Sequence, residues 1–307
     1  MAGQDELSSE IRATSDTFLV NLLIFLALLI AFAGIGYYLT IELGLKRHYM
    51  AALMWSPGLA ALATCKLRGI NLKMIGWHWG ESRWQWTAYL LPILYGAVAY
   101  GIIWGFGLGG AVNPRFIAGV GEFLGLSGWS NTSVVAFTIV MFGIVGMIWR
   151  VGAALGEEIG WRGFLTPHLM QRFSFPITSL IVGLVWAVWH APLIYFTKYN
   201  AGPYDLNVQM VNFAVLTIGL SFIMTYLRLK SGSVWTAAIL HASHNAYVLS
   251  LFGEMTIKYE ETRKYAGEFG FILPAVIALV GVYFWYRAAQ EGLVQSTMPA
   301  QKNDDAK

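Results

Sequence analysis

Three short polar groups interrupt a sequence that is otherwise strongly apolar: Gly156-Glu157-Glu158-Ile159-Gly160-Trp161-Arg162, Trp186-Ala187-Val188-Trp189-His190-Ala191-Pro192 and His241-Ala242-Ser243-His244-Asn245. Glu158 and Arg162 stand four residues apart with the acid first, the favourable order on a helix, so each is expected to satisfy the other. Glu157 points about 100° away and has no such neighbour on its own helix. His241 and Asn245 share one helical face, and His244 lies on the adjoining stripe. A glutamate in a low-dielectric, partly wet cavity is a good base near neutral pH, so Glu157 with His190 could hold and deprotonate a water. His241 and Asn245 would then donate to a carbonyl oxygen as it gains charge, a contribution of about 3–4 kcal/mol per donor in measured cases. That is the chemistry of peptide-bond hydrolysis without a covalent intermediate.

The elements that must position these residues are membrane helices. Only 12% of the 307 residues are charged and 57% are apolar, with a mean hydropathy of +0.56, which leaves too little polar surface for a water-soluble shell. Eight runs free of Asp, Glu, Lys and Arg lie near 17–41, 48–65, 84–106, 132–156, 176–197, 206–227, 232–253 and 269–286. The expected fold is therefore all-α, a polytopic membrane bundle of about eight transmembrane helices around a polar intramembrane cavity, forming one domain over 1–307. The connection 107–131 could hold an interfacial helix, and 69–82, with Trp77, His78 and Trp79, suits an amphipathic segment at the lipid surface. Gly101, Gly105 and Gly109, spaced four apart, are expected to mark a close helix contact.

Arg172-Phe173-Ser174-Phe175-Pro176 reads as a turn, with Ser174 capping a helix that starts around Pro176. A hairpin there places Glu157 and His190, equidistant from it, at similar depth. His241 follows the polar stretch Arg228 to Ser233 by about ten residues, roughly 15 Å of helix, so all three groups are expected to converge. Lys and Arg favour the side shared by both termini (Arg12, Lys66, Arg68, Lys73, Arg83, Lys302 and Lys307 among them), so both termini are expected in the cytoplasm. Asp5, Glu6 and Glu10 precede the first apolar run, which is therefore expected to be retained as a helix rather than cleaved as a signal peptide. The net charge of +3, with no basic cluster, disfavours nucleic acid as a partner, and the single Cys65 rules out internal disulfides and multi-cysteine zinc sites.

Taken in order, Glu157-Glu158-x-x-x-Arg162, Trp186-x-x-x-His190 and His241-x-x-x-Asn245 resemble the CAAX prenyl endopeptidase and bacteriocin-processing (CPBP, or Abi) family of intramembrane glutamate proteases. Trp186 departs mildly from the phenylalanine common at that position in the family. The resemblance spans about 157–245, within a catalytic core expected over 132–253. It implies Glu157 as base, His190 as its partner on water, Glu158 with Arg162 as support, and His241 with Asn245 as the oxyanion site, with no cofactor. Trp186 and Trp189 are candidate substrate contacts. Eukaryotic members remove the last three residues of farnesylated or geranylgeranylated proteins, after the modified cysteine; many prokaryotic members act on other substrates. The expected partners are membrane lipids and a protein or peptide substrate, CAAX-type processing of a prenylated protein being the specific form. The membrane would be the plasma membrane in a prokaryote or the ER membrane in a eukaryote.

Other readings remain open on the sequence. Glu158 and Arg162 could simply brace a helix end, although that leaves Glu157 unexplained. A lone intramembrane histidine is more often a packing group than a catalyst, so the ordered trio carries the catalytic reading. His244, Ser243, His168 and Arg150 read as structural, His244 being the best candidate for a secondary role, and Cys65 has no neighbouring histidine motif to activate it. Glu157, His190 and His241 are also suitable ligand types for Zn²⁺, although no His-Glu-x-x-His occurs and Asn245 is a poor zinc ligand. A proton-coupled transporter is the alternative of a different class, with no inverted repeat to support it.

Overall fold

A chain this apolar can satisfy its backbone in lipid only by hydrogen bonding within each segment, and it does so with helices. In the computed structural model, which describes residues 2–293 and side chains from residue 17 onward, these are α1 (Ala2–Glu42), α2 (Arg47–Met54), α3 (Ser56–Arg68), α4 (Ser82–Gly105), α5 (Pro114–Phe123), α6 (Asn131–Gly143), α7 (Val145–Glu158), α8 (Thr166–Leu169), α9 (Phe175–Phe196), α10 (Leu206–Ser231), α11 (Val234–Ser243), α12 (Thr262–Tyr265) and α13 (Ile272–Gln290). The side chain of Arg12, and Lys302, Lys307 and the rest of the polar tail 301–307, lie outside the described residues. The sole extended pairing among them is an isolated antiparallel bridge between Gly110 and Ile257.

Among the described residues seven helices are long and apolar enough to cross a membrane: 17–42, 47–68, 82–105, 131–169, 175–196, 206–231 and 272–290. They correspond to seven of the eight expected runs. The eighth, 232–253, is helical but is not among these seven: α11 passes into a π-helical segment, His244–Gly253. The run expected to end at 156 instead continues through the first polar group as a π-helical turn, Ile159–Leu165, and α8. α10 is the most enclosed of the seven, with 67% of its most apolar stretch buried, and α9 and α13 pack against it.

The ends of these helices follow local chemistry. The Asp205 carboxylate accepts from the backbone N–H groups of Asn207 and Val208 at the start of α10, and Gly232 closes that helix at φ +67°. Ser174 does precede α9, with Pro176 in the first turn, but its hydroxyl makes no capping hydrogen bond, so proline's preset backbone rather than the expected serine cap defines this start. Arg228, expected in a connection, lies in the last turn of α10 and is buried. Between Gly107 and Asn131 the chain does form a short helix, α5, and the segment after Gly69 makes a 3-10 turn, Leu72–Ile75, with Trp77 and Trp79 exposed beyond it.

The close helix contact falls elsewhere than the glycine spacing suggested. Gly101 and Gly105 face open space, and of that trio Gly109 alone is crowded, by Thr256. The tight crossing is between α3 and the end of α7: a Cβ added to Gly58 would stand 2.5 Å from the Gly156 carbonyl oxygen, and one on Gly156 would meet Trp55 at 2.7 Å. This crossing seats the helix just before Glu157. Gly58→Ala is expected to lower stability by about 1–3 kcal/mol, as overpacking does, whereas Gly101→Ala should be neutral or stabilising; thermal unfolding of the detergent-solubilised variants compares the two.

Candidate active site

The first and third polar groups both sit where an α-helix widens into a π-helix. Glu157 and Glu158 are the last two residues of α7 before the π turn at Ile159, and His241 lies in the final turn of α11 before the π segment that opens at His244. Such widened turns are uncommon and cluster at functional sites. The first is fixed from outside by Arg228 of α10, whose Nε donates to the Arg162 carbonyl (3.1 Å) and whose Nη2 donates to that of Met74 (2.8 Å). The second polar group is carried by α9, which Tyr37 of α1 ties down by donating its hydroxyl to the Trp189 carbonyl.

Glu158 is completely buried and is shared by two elements. Its carboxylate accepts from Arg162 Nη1 at 3.2 and 3.0 Å, as the spacing of four predicts, and its Oε1 lies 2.9 Å from His241 Nδ1 on α11. The second contact was hidden from the sequence. It fixes the His241 ring and leaves Nε2 as the nitrogen available to a ligand.

Glu157, 3% exposed, does have a partner, on another helix: the Trp186 indole Nε1 donates to its Oε2 at 2.7 Å. The Arg162 guanidinium sits 4.5 Å above the Trp186 ring, and the His241 ring is tilted against it at 5.4 Å. Trp186 thus touches members of the first and third polar groups at once, and its backbone carbonyl lies 3.1 Å from His190 Nδ1. With Nδ1 donating there, Nε2 of His190 carries the free lone pair. Trp189, Tyr199 and Phe213 surround the imidazole with ring centroids 4.7 to 5.8 Å away.

Glu157, Trp186, His190, His241 and Asn245 line one cavity of about 580 Å³. Among the described residues the Asn245 side-chain amide has no hydrogen-bond partner, while its backbone carbonyl accepts from Ser250. Apolar wall is supplied by Met50, Met54, Leu216, Leu220 and Leu249. Trp189 lies outside this cavity, along a second, apolar hollow of about 540 Å³ between α1 and α9. Two further polar features face the main cavity. His244 receives Tyr95 Oη at 2.7 Å on Nδ1 and has Glu268 Oε1 3.4 Å from Nε2. Arg150 lines it from two turns before Glu157. Glu268, in the loop before α13, and Tyr95, in mid-α4, were missed because neither stands near a motif. The only signal was a lone acid at the edge of the last apolar run. Among the described residues no three His, Cys, Asp or Glu side chains are grouped to hold one metal ion, and the oxygens nearest the histidines are already engaged by Trp186, Arg162 and His241.

Residues 136–247, which contain all three polar groups, match the family model of Rce1-like type II CAAX prenyl endopeptidases. A stretch of 132 residues is 30% identical to CAAX prenyl protease 2 of Methanococcus maripaludis, covering 41% of this chain and 46% of that protein. The chain therefore spans somewhat under half the length of this curated relative. Together with the seven apolar helices, the similarity marks the chain as an integral membrane protein.

Removing one partner of a buried ion pair strands the other. Arg162→Met is accordingly expected to lower stability by about 3–5 kcal/mol; a thermal or denaturant unfolding series on the full chain measures it, and a change within about 0.5 kcal/mol would show that Glu158 does not depend on Arg162.

Proposed function

We propose that the cavity hydrolyses a peptide bond of a membrane-bound protein or peptide by attack of a water held between Glu157 and His190. This reading rests on four groups suited to hydrolysis, contributed by α7, α9 and the segment from α11 onward, that line one cavity. Glu157 takes a proton from the water and the oxygen bonds to the carbonyl carbon. His241, held as an imidazolium by the Glu158 carboxylate on Nδ1, donates from Nε2, and the Asn245 amide donates beside it, to the oxygen that becomes negative, in a site with largely apolar walls where such bonds are strong. Collapse of the tetrahedral carbon breaks the C–N bond, and the proton held by Glu157 passes to the leaving amine. Glu158 and Trp186 touch the groups that react and hold them in place, and Arg162 backs both.

The archaeal relative's name, CAAX prenyl protease 2, suggests the substrate class: a protein ending in a CAAX sequence, with prenylation of its cysteine as the specific form. The apolar wall of the cavity suits a substrate delivered from the bilayer. The proposed steps assign no role to a metal ion or other cofactor, since among the described residues no three His, Cys, Asp or Glu side chains are grouped to hold one ion. With α11 and its π-helical continuation counted as an eighth crossing, the excess of Lys and Arg at the turns on the side of the termini supports placing both termini in the cytoplasm.

Glu157→Gln in the purified full chain is expected to abolish cleavage of a CAAX peptide while leaving unfolding cooperative, and Asn245→Ala to reduce kcat by about 100- to 1,000-fold. Hydrolysis retained in Glu157→Gln would remove Glu157 from the mechanism. Dialysis against a strong chelator should leave activity intact; loss restored only by zinc would replace this reading with a metalloprotease. Comparison of farnesylated and unmodified copies of one peptide measures the contribution of the prenyl group, and equal turnover would argue against isoprenoid selectivity.

A further inference from the structure

Arg150 lies within an apolar membrane-spanning run and yet forms no ion pair with any carboxylate among the described residues. Its Nη2 donates to Ser250 Oγ at 2.9 Å, its Nη1 reaches the Gly146 carbonyl at 3.3 Å, and the guanidinium stands over the Phe142 ring at 5.2 Å. It is half-buried and lines the same cavity as Glu157. A cation placed in a membrane span at a cost of about 2.5–3.5 kcal/mol, oriented by a serine and left without an anion, is a receptor for an anion that arrives from elsewhere.

The spacing says which anion. Arg150 and Glu157 are seven residues apart on one helix, so they share a face and are separated by roughly 10.5 Å along the axis. Ala153, between them on that face, also lines the cavity and offers only a methyl group to what passes over it. An extended peptide advances about 3.3–3.6 Å per residue, so three residues beyond a bond held at Glu157 bring a chain terminus to the guanidinium. Arg47, exposed at the first residue of α2, lines the cavity as well and adds positive charge that would steer an anionic terminus inward.

We infer that Arg150 binds the free C-terminal carboxylate of the substrate, so that the face of α7 from Arg150 to Glu157 measures off a three-residue leaving group. The inference rests on the hydrolytic reading of Glu157 and His190 for the position of the scissile bond. It makes Arg150 a substrate-binding residue, where the sequence alone suggested a structural one.

Two experiments on the purified full chain test it separately from that reading. In the first, the tripeptide Val-Leu-Met is titrated as free acid and as C-terminal amide, with no hydrolysis involved. The acid is expected to bind about 10- to 100-fold more tightly than the amide, as a charged hydrogen-bonded pair allows. Arg150→Gln should erase the difference and Arg150→Lys should retain part of it. Equal binding of acid and amide by the unaltered protein, or a preference that survives in Arg150→Gln, overturns the inference. In the second, cleavage of a CAAX peptide is compared with that of its amide and of a copy extended by one residue. The unaltered protein should prefer the original, and Arg150→Gln should raise KM for the acid while leaving the amide unchanged. An equal loss on both peptides would show Arg150 to be a brace for Ser250. If no peptide is cut, the hydrolytic reading fails, and the tripeptide titration still decides whether Arg150 receives a carboxylate.

Discussion

The buried carboxylate of Glu158 is the interaction on which the rest of the site depends. A fully enclosed charge of this kind is tolerable only when its hydrogen-bonding capacity is met, and Glu158 meets it by joining Arg162 on its own helix to His241 on α11. One side chain therefore does two things. It neutralises an arginine buried in the same turn, and it fixes the distance and rotation of α11 relative to α7. Because His241 is held through Nδ1, its other nitrogen is left free beside the cavity, and Asn245, four residues on, lines the same space.

Trp186 completes the frame from the third direction. Its indole N–H reaches Glu157, its ring lies beneath the Arg162 guanidinium and beside His241, and its carbonyl receives His190. The acid proposed as base and the imidazole proposed as its partner are thus oriented by the same residue, so a displacement of α9 would move both together. The two π-helical segments suit this arrangement, since each rotates and widens a helix where polar side chains must turn into the cavity. Glycines 58 and 156 allow α3 to press against the end of α7, just before Glu157.

What the sequence disclosed and what it concealed divide along physical lines. The Glu158 and Arg162 pair was legible because a spacing of four on a helix has one meaning. The convergence of Glu157 with His190 was legible because both are equidistant from a turn that proline and charged residues mark. Glu268 and Tyr95 were concealed because contacts between distant helices leave no periodicity, and a lone tyrosine in an apolar run is indistinguishable from packing. The π turns were concealed because α and π helices use the same residues. The crossing at Gly58 and Gly156 was concealed for a related reason: small size permits a close approach without requiring one, and Gly101 and Gly105, whose spacing advertised a contact, have none.

In the proposed reaction one cavity holds a hydrolytic water on one side of the reacting carbonyl and donors on the other. An experimental structure of the full chain bound to a peptide phosphinate, whose two oxygens mimic the tetrahedral carbon, tests it most directly. One phosphinate oxygen is expected between Glu157 and His190 Nε2 and the other within hydrogen-bonding distance of His241 Nε2 and the Asn245 amide. A phosphinate seated in the apolar hollow along α1 and α9, or in the main cavity with both oxygens turned away from these four residues, would contradict it.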